Sequence, residues 1–451
     1  MLTNMKPLIV LAQELDSGTT SSLTLVESAL ARAADPAGEG RRVYLKRYDA
    51  AAREAARAAD RLRQARLAPS PLAGLPFSIK DLFDVAGDVT TCASRALADA
   101  PAATADAPAI ARLRRAGAVA IGRTNMTEFA YSGLGLNAHF DTPRNPWDRA
   151  TGRIPGGSSS GAAVSVTDDM AAFAIGTDTG GSVRIPAALC GITGFKPTAR
   201  RVPTAGAFPL SSTLDSVGPL APTVACCAVV DAVMRGAQPT VPDALPLGGL
   251  RFGVPQSYVL DGLDADVAAA FSAALSRLSR AGARIVDVPF PSLTRIPQLS
   301  PHGGVLAAEA YAVHRKMLES KGDLYDARVR TRILRAANLS AADYVDLAAA
   351  RLAMIAEADA VSAPFDAMLM PTVAIVAPPV AALDGDEKRY GETNLLVLRN
   401  TTVGNYLDRC ALTIPCHAPG TAPVGLMVMG ETMGDDRLLA VGLAVEGALR
   451  R

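Results

Sequence analysis

Between residues 151 and 197 glycine and small hydroxyl residues crowd together, interrupted by apolar segments such as Ala171–Ile175. Glycine and serine at this density disfavour helix and strand interiors, while the apolar segments demand burial, so the block reads as tight loops mounted on buried elements. The residues before it agree. From Leu75 short apolar strands alternate with Gly and Pro, as in Leu75–Ile79 and Val119–Ile121, with a helix over Ala109–Ala116 closed by Gly117 between them. Strand, helix, strand argues a wound α/β sheet.

The remaining chain extends this plan. Ser22 or Thr24 can cap a helix with Leu23, Val26 and Leu30 on one face, and Ala50–Arg66 is an amphipathic run. After Pro239, Pro242 and Pro246 a strand at Arg251–Val254, a helix over Asp264–Ala281 and a strand at Ala283–Val288 follow. The stretch 304–361 is almost continuously helix-forming, and the chain closes with strands at Ala367–Met370 and Val424–Met429 and a helix from Asp435. We expect one domain over 1–451, with a smaller subdomain over about 240–360, and helices around a central sheet completed by the late strands. There is no internal repeat.

Composition narrows the function. With 45 Lys plus Arg against 44 Asp plus Glu among 451 residues, the chain has no basic excess for nucleic acid or an anionic membrane. The uncharged stretches Ala367–Leu383 and Cys410–Gly430 approach spanning length but carry several prolines, which suits buried strands and turns. Six scattered cysteines are too few to staple this chain and fit a reducing compartment. The N-terminal residues lack the charge and cleavage pattern of a secretory peptide, so the expected location is cytoplasmic.

Three segments concentrate polar residues: Gly74–Asp81, Pro155–Gly161 and Gly176–Pro186. Lys80 ends an apolar strand, where burial would lower its pKa and make it a base near neutrality; a surface lysine at a strand end is the plainer alternative. In the segment Thr177–Ser182 a hydroxyl follows two glycines whose N–H groups can approach a reacting oxygen unobstructed. A serine nucleophile needs a base, and none of the four histidines lies in a Gly/Ser-rich block. Tight turns or a phosphate cradle remain alternatives, though neither segment ends in the Lys-Ser/Thr of a P-loop. Ser159 also fits a Gly-x-Ser-x-Gly elbow, and Cys410 with Cys416-His417 could be metal ligands, although their spacing favours core packing. Asp178 and Arg184 more readily hold the loop than touch substrate.

Lys80 in Ile-Lys-Asp, Gly156-Gly157-Ser158-Ser159-Ser160-Gly161, and Gly176-Thr177-Asp178-Thr179-Gly180-Gly181-Ser182-Val183-Arg184-Ile185-Pro186 together resemble the amidase signature family. The resemblance extends through Gly122–Phe129, Thr142–Trp147 and Cys190–Thr198, covering roughly residues 70–225 densely and both ends more weakly. It implies an α/β amidase-signature fold with a central mixed twisted sheet surrounded by helices, and a Ser-cisSer-Lys triad cleaving the C–N bond of a small amide or ureide through an acyl-enzyme.

Carried over residue by residue, Ser182 resembles the nucleophile and Lys80 the ultimate base. The family's bridging serine lies 24 residues before the nucleophile, which selects Ser158 and implies a cis Gly157–Ser158 bond. Backbone N–H groups around Thr179, Gly180, Gly181 and Ser182 would form the oxyanion hole, with no metal or organic cofactor. Tyr131, Ser132 and Gly133 are the expected substrate contacts. The run Asn400–Arg409 could line a pocket or form a buried, capped helix end.

Two branches of the family compete. The glutaminase component of tRNA-dependent amidotransferases usually carries a Met and a Gly/Ser-Thr-Glu run where this chain has Tyr131–Leu136, and an Ala-Asn-Leu-Ala-Gly-Leu-Pro pattern that Asn400–His417 lacks. These departures favour a stand-alone hydrolase with a small-molecule substrate and without nucleic acid or membrane partners. A homodimer is common in the family, and no interface is legible in this sequence.

Overall fold

The computed structural model describes residues 5–450, the side chain of Pro301 excepted. One eleven-stranded sheet runs through it. Its strands are β1 (Tyr44–Arg47), β2 (Pro76–Lys80), β3 (Val119–Thr124), β4 (Phe173–Asp178), β5 (Thr193–Lys196), β6 (Ser216–Ala221), β7 (Arg251–Pro255), β8 (Arg284–Val288), β9 (Ala367–Pro371), β10 (Ala411–Pro415) and β11 (Gly425–Met429). The spatial order is β1-β3-β2-β4-β6-β5-β10-β11-β9-β7-β8. The pairs β3–β2, β2–β4, β9–β7 and β7–β8 are parallel, and the other adjacent pairs are antiparallel. The sheet is therefore mixed, as expected, and strands from both sides of residue 240 belong to it.

Side-chain alternation along the strands builds a core on each face. Phe173 and Ile175 of β4 join the cluster packed beneath the helices Leu8–Asp16, Pro108–Arg115, Val224–Arg235, Ala265–Arg280 and Asp435–Leu449, whereas Ala174 joins a second cluster with Ser22–Ala34, Asp49–Gln64, Ser160–Thr167 and Arg184–Cys190. At the other end Ala367 and Leu369 of β9 enter the first cluster while Met368 and Met370 meet Met354 and Ala358 of the helix Ala341–Ser362. Helices on both faces explain why the strands read as short apolar runs.

Two expectations shift, and the reading of the late uncharged stretches as strands holds. The cap of the first amphipathic helix is Ser21, whose side chain accepts from Thr24 N–H, and Ser22 is the first helical residue. The span 304–361 is divided into helices Gly304–Lys321, Ala327–Leu334 and Ala341–Ser362. Asp326 and Ser340 make the breaks, each accepting a backbone N–H as an N-cap, with Asp343 completing a capping box at Ser340. The uncharged late stretches contain β9, β10 and β11, and no helix among the described residues is long and apolar enough to cross a membrane.

Candidate active site

Register places the base. Phe77, Ser78 and Ile79 of β2 lie opposite Phe173, Ala174 and Ile175 of β4, and the Phe77 and Phe173 rings stack at 5.4 Å with 9° between planes. Continuing the two strands brings Lys80 beside Thr177, at the C-terminal ends of parallel strands where open α/β sheets gather their ligands. Lys80 Nζ donates to Thr177 Oγ1 at 2.9 Å and to Ser158 Oγ at 2.7 Å. Burial brings the lysine down to about 7, against the Asp178 and Asp215 carboxylates, which favour its charged form.

Ser158 stands in the loop that enters the helix Ser160–Thr167, after a cis Gly157–Ser158 bond. Backbone contacts hold this loop: Gly157 N–H donates to Gly133 O at 2.8 Å and Thr127 N–H to Ser158 O at 3.1 Å. Ser182 lies in the turn between β4 and the helix Arg184–Cys190, and its carbonyl accepts from Ser159 N–H at 3.2 Å, so the two serine loops run side by side. Lys80 and Ser158 are 0% exposed and Ser182 is 4% exposed. The serine nearest solvent is the one expected to meet substrate.

The turn Thr179–Ser182 is gripped through side chains and carbonyls while its amides stay uncommitted. Thr179 Oγ1 donates to Asp215 Oδ1 at 2.5 Å, and Thr401 Oγ1 donates to Gly180 O at 2.7 Å. Among the described residues no acceptor engages the N–H groups of Thr179, Gly180, Gly181 or Ser182, whereas Asp178 Oδ2 takes those of Val183 and Arg184. Gly181 adopts φ +135°, and a Cβ there would overlap Thr401 Oγ1, so only glycine fits.

Asp178 and Arg184 are fully buried and bond each other through two contacts, at 2.8 and 3.0 Å. Asn405 ties both, accepting from Arg184 Nη2 at 2.6 Å and donating to Asp178 Oδ1 at 3.0 Å. Burial alone would raise the Asp178 carboxyl; the adjacent Arg184, with help from Lys196 and Asn405, holds it at about 2.

The expected substrate contacts lie beside this centre. Ser132 Oγ donates to Asn394 Oδ1 at 2.8 Å and accepts from Tyr390 Oη at 3.0 Å, and Gly133 N–H donates to Asn394 Oδ1 at 2.9 Å. These partners belong to the helix Glu387–Tyr406, whose residues Asn394, Thr401 and Asn405 reach the site. A Cβ on Gly133 would lie 3.1 Å from Leu398, and one on Gly180 would lie 3.5 Å from it, so Leu398 spans the gap between the two segments. Tyr131 offers its carbonyl to Arg332 Nη1 at 2.7 Å.

Other candidates disperse. Ser159 has no histidine beside it: His139 bonds Glu128, His314 bonds Tyr325, and His417 faces Val424 O. Cys416 Sγ also faces Val424 O. Of the run Asn400–Arg409, Asn400, Thr401 and Asn405 are buried in the last turns of Glu387–Tyr406. Thr177 and Asp215 are polar neighbours of the centre that motif reading did not single out. Thr177 had a signal, since it shares β4 with the turn, while Asp215 had none short of the folded loop.

The family model described as Amidase matches residues 24–439. A 2-amino-5-chloromuconic acid deaminase from Comamonas testosteroni is 39% identical over 409 residues, covering 90% of this chain and 88% of that protein. The A component of a glutamyl-tRNA(Gln) amidotransferase from Roseiflexus castenholzii is 36% identical over 467 residues, covering 95% and 93%. Among solved structures, an amidase crystal structure superposes with TM-score 0.87 at 32% identity over 98% of this chain and 99% of that one. Native peptide amidase from Stenotrophomonas maltophilia gives TM-score 0.84 at 27% identity over 99% and 97%.

Proposed function

This chain belongs to the amidase signature family and is a hydrolase acting on amide C–N bonds, and on that premise we propose that it cleaves a small amide as a stand-alone enzyme through Lys80, Ser158 and Ser182. The observation that carries the reading is the 2.7 Å contact of Lys80 Nζ with Ser158 Oγ, both side chains fully buried, beside the turn that presents Ser182.

The chemistry follows from the protonation states. A lysine at about 7 is substantially neutral near that pH, and its lone pair can take the Ser158 hydroxyl proton while Ser158 takes that of Ser182. Ser182 Oγ then attacks the amide carbonyl, forming the new C–O bond. The unengaged N–H groups of residues 179–182 face the developing oxyanion, each such donor being worth roughly 3–4 kcal/mol. Collapse breaks the C–N bond as the relayed proton passes to the leaving nitrogen, leaving an ester on Ser182. Water, deprotonated through the same relay, attacks the ester and releases the acid. These steps use side chains and backbone alone.

Within this reading the substrate is a small molecule seated between Tyr131–Gly133 and the Leu398 side of the helix Glu387–Tyr406. Similarity to the amidotransferase component supports a second reading, glutaminase work within a larger assembly. Ammonia or amine release from a panel of primary amides, ureides, aryl amides and glutamine, run beside Ser182→Ala, tests both. Turnover of a small amide by the isolated chain that vanishes in the variant is the expected result. Release from glutamine alone, and only with added partner proteins, would favour the second.

A further inference from the structure

We propose that Asp215 is a positioning residue for this hydrolysis, fixing the oxyanion turn through Thr179 and placing an unpaired negative charge toward Lys80. The inference rests on the triad reading and adds a residue to it.

Geometry makes the first half of the case. One Asp215 oxygen accepts from Thr179 Oγ1 at 2.5 Å; the other accepts from the N–H groups of Leu210 and Ser211 at 3.0 and 3.2 Å. Thr179 opens the turn that ends in Ser182, so this carboxylate ties one end of the turn while Thr401 holds Gly180 O from another helix. The loop carrying Asp215 is itself fastened. Glu309 of the helix Gly304–Lys321 accepts from Ser211 Oγ, from Thr213 N–H at 3.1 Å and, on its other oxygen, from Tyr344 Oη of the helix Ala341–Ser362 at 2.8 Å. Asp215 thus passes the position of two helices, distant in sequence, to the turn. Displacing catalytic donors by about 1 Å can cost a hundredfold in rate.

Charge makes the second half. The ionisable groups whose charge favours the protonated form of Lys80 are the Asp178 and Asp215 carboxylates and the Cys92 thiol. Asp178 is already paired with Arg184, and burial keeps the Cys92 thiol protonated. Asp215 forms no ion pair among the described residues and is half-buried. Burial lifts its carboxyl to about 6, opposed by the Thr179 and backbone donors and by Lys80, so above that pH it bears a charge. Desolvation alone would depress Lys80 further, and a nearby negative charge opposes that fall.

The test measures kcat and KM against pH for the wild type, Asp215→Asn, Thr179→Val, Thr179→Ser and Ser182→Ala. Asp215→Asn is expected to lower the plateau kcat about 10- to 100-fold with KM little changed, and to move the acid limb of the profile to lower pH, because Lys80 loses a group that raised its pKa. Thr179→Val should lower the plateau and move the limb the same way by less than Asp215→Asn does, because losing the Thr179 donor raises the Asp215 carboxyl without removing it, and Thr179→Ser should restore both. A wild-type kcat in Asp215→Asn, or a limb that stays put, would overturn the inference. If Asp215→Asn does not fold, the Thr179 pair decides: Thr179→Val at wild-type kcat, or Thr179→Ser as slow as Thr179→Val, overturns it. Hydrolysis that survives Ser182→Ala would instead remove the triad reading itself, a result distinct from any of these.

Discussion

Lys80 Nζ and Ser158 Oγ meet at 2.7 Å although 78 residues separate them in the chain. Neither local sequence produces that contact. It arises because the stacked Phe77 and Phe173 rings and the ladder behind them set β2 against β4, while Gly133 and Thr127 hold the Ser158 loop over the strand end. Burial supplied by the fold then does to the lysine what no neighbouring residue could: it removes the water that would stabilise the ammonium.

The pH profile should show it. With Lys80 at about 7, kcat/KM is expected to rise with pH through an acid limb near that value, falling about tenfold for each unit below it. Lys80→Met should lose activity by roughly 10²–10⁴-fold and lose the limb. Stability rises with pH as well. The folded pKa lies below the unfolded value, so the unfolded chain binds more protons between pH 7 and about 10, and wild-type stability rises with pH across that window. Lys80→Met lacks this slope, so urea unfolding should find it at least as stable as wild type at pH 7, with its advantage shrinking toward pH 10. A steeper loss at pH 7 than at pH 10 would contradict a neutralised lysine.

Ser158 and Ser182 should separate by what accumulates. Ser182→Ala removes the atom that forms the ester and should give no covalent adduct under any condition. Ser158→Ala keeps the nucleophile and breaks the proton relay, so acylation by an activated ester, which needs less help at its leaving group, should survive better than acylation by an amide. Intact-protein mass spectrometry after mixing reads both. An adduct on Ser182→Ala would place the nucleophile elsewhere.

Much of this centre was legible because short motifs dictate local backbone. Two glycines before Ser182, an apolar strand ending at Lys80 and the Gly-Ser run around Ser158 each state a conformation within a few residues. The cis Gly157–Ser158 bond and the mixed central sheet agree with what the resemblance implied. What escaped reading comes from far away. Asn405 joins Asp178 and Arg184 across 227 and 221 residues, and Thr401 reaches Gly180 across 221. A polar residue in a helix announces a partner without naming it, so the run Asn400–Arg409 could be read equally as a pocket wall or a capped end. The breaks in 304–361 were missed because strong helix formers surround Asp326 and Ser340, whose capping competes only once the chain must turn.

The two glycines of the turn make unequal demands. At Gly181, φ +135° and the Thr401 hydroxyl leave no room for a Cβ, while at Gly180 the nearest atoms would sit at 3.5 and 3.6 Å, ordinary contact. Gly181→Ala should therefore destabilise the protein by about 1–3 kcal/mol and abolish measurable turnover, and Gly180→Ala should fold with near wild-type stability. Thermal unfolding of the pair side by side checks this. Equal losses would mean that crowding by Thr401 does not govern the turn.

The Asp178–Arg184 pair sets the last expectation. Both side chains are fully buried, so each leaves an uncompensated charge if the other is removed, at a cost of about 3–5 kcal/mol. Arg184→Leu should thus be severely destabilised at pH 7, and Arg184→Leu combined with Asp178→Asn should recover part of the loss by removing the orphaned carboxylate. The pH dependence has a definite sign. In the wild type Asp178 sits at about 2, below its unfolded value, so its contribution is present above about pH 4 and fades as pH falls through 4 toward 2. In Arg184→Leu the carboxyl loses its main stabilising charge and its pKa rises, so the unfolded chain now binds fewer protons than the native one at mildly acidic pH. Stability of the variant relative to wild type should therefore improve between pH 7 and pH 4.5. Urea unfolding of the three proteins at both values decides it: a deficit that is the same at pH 7 and pH 4.5 would mean that Asn405 and Lys196 suffice to hold the Asp178 charge, and that Arg184 serves the turn through shape alone.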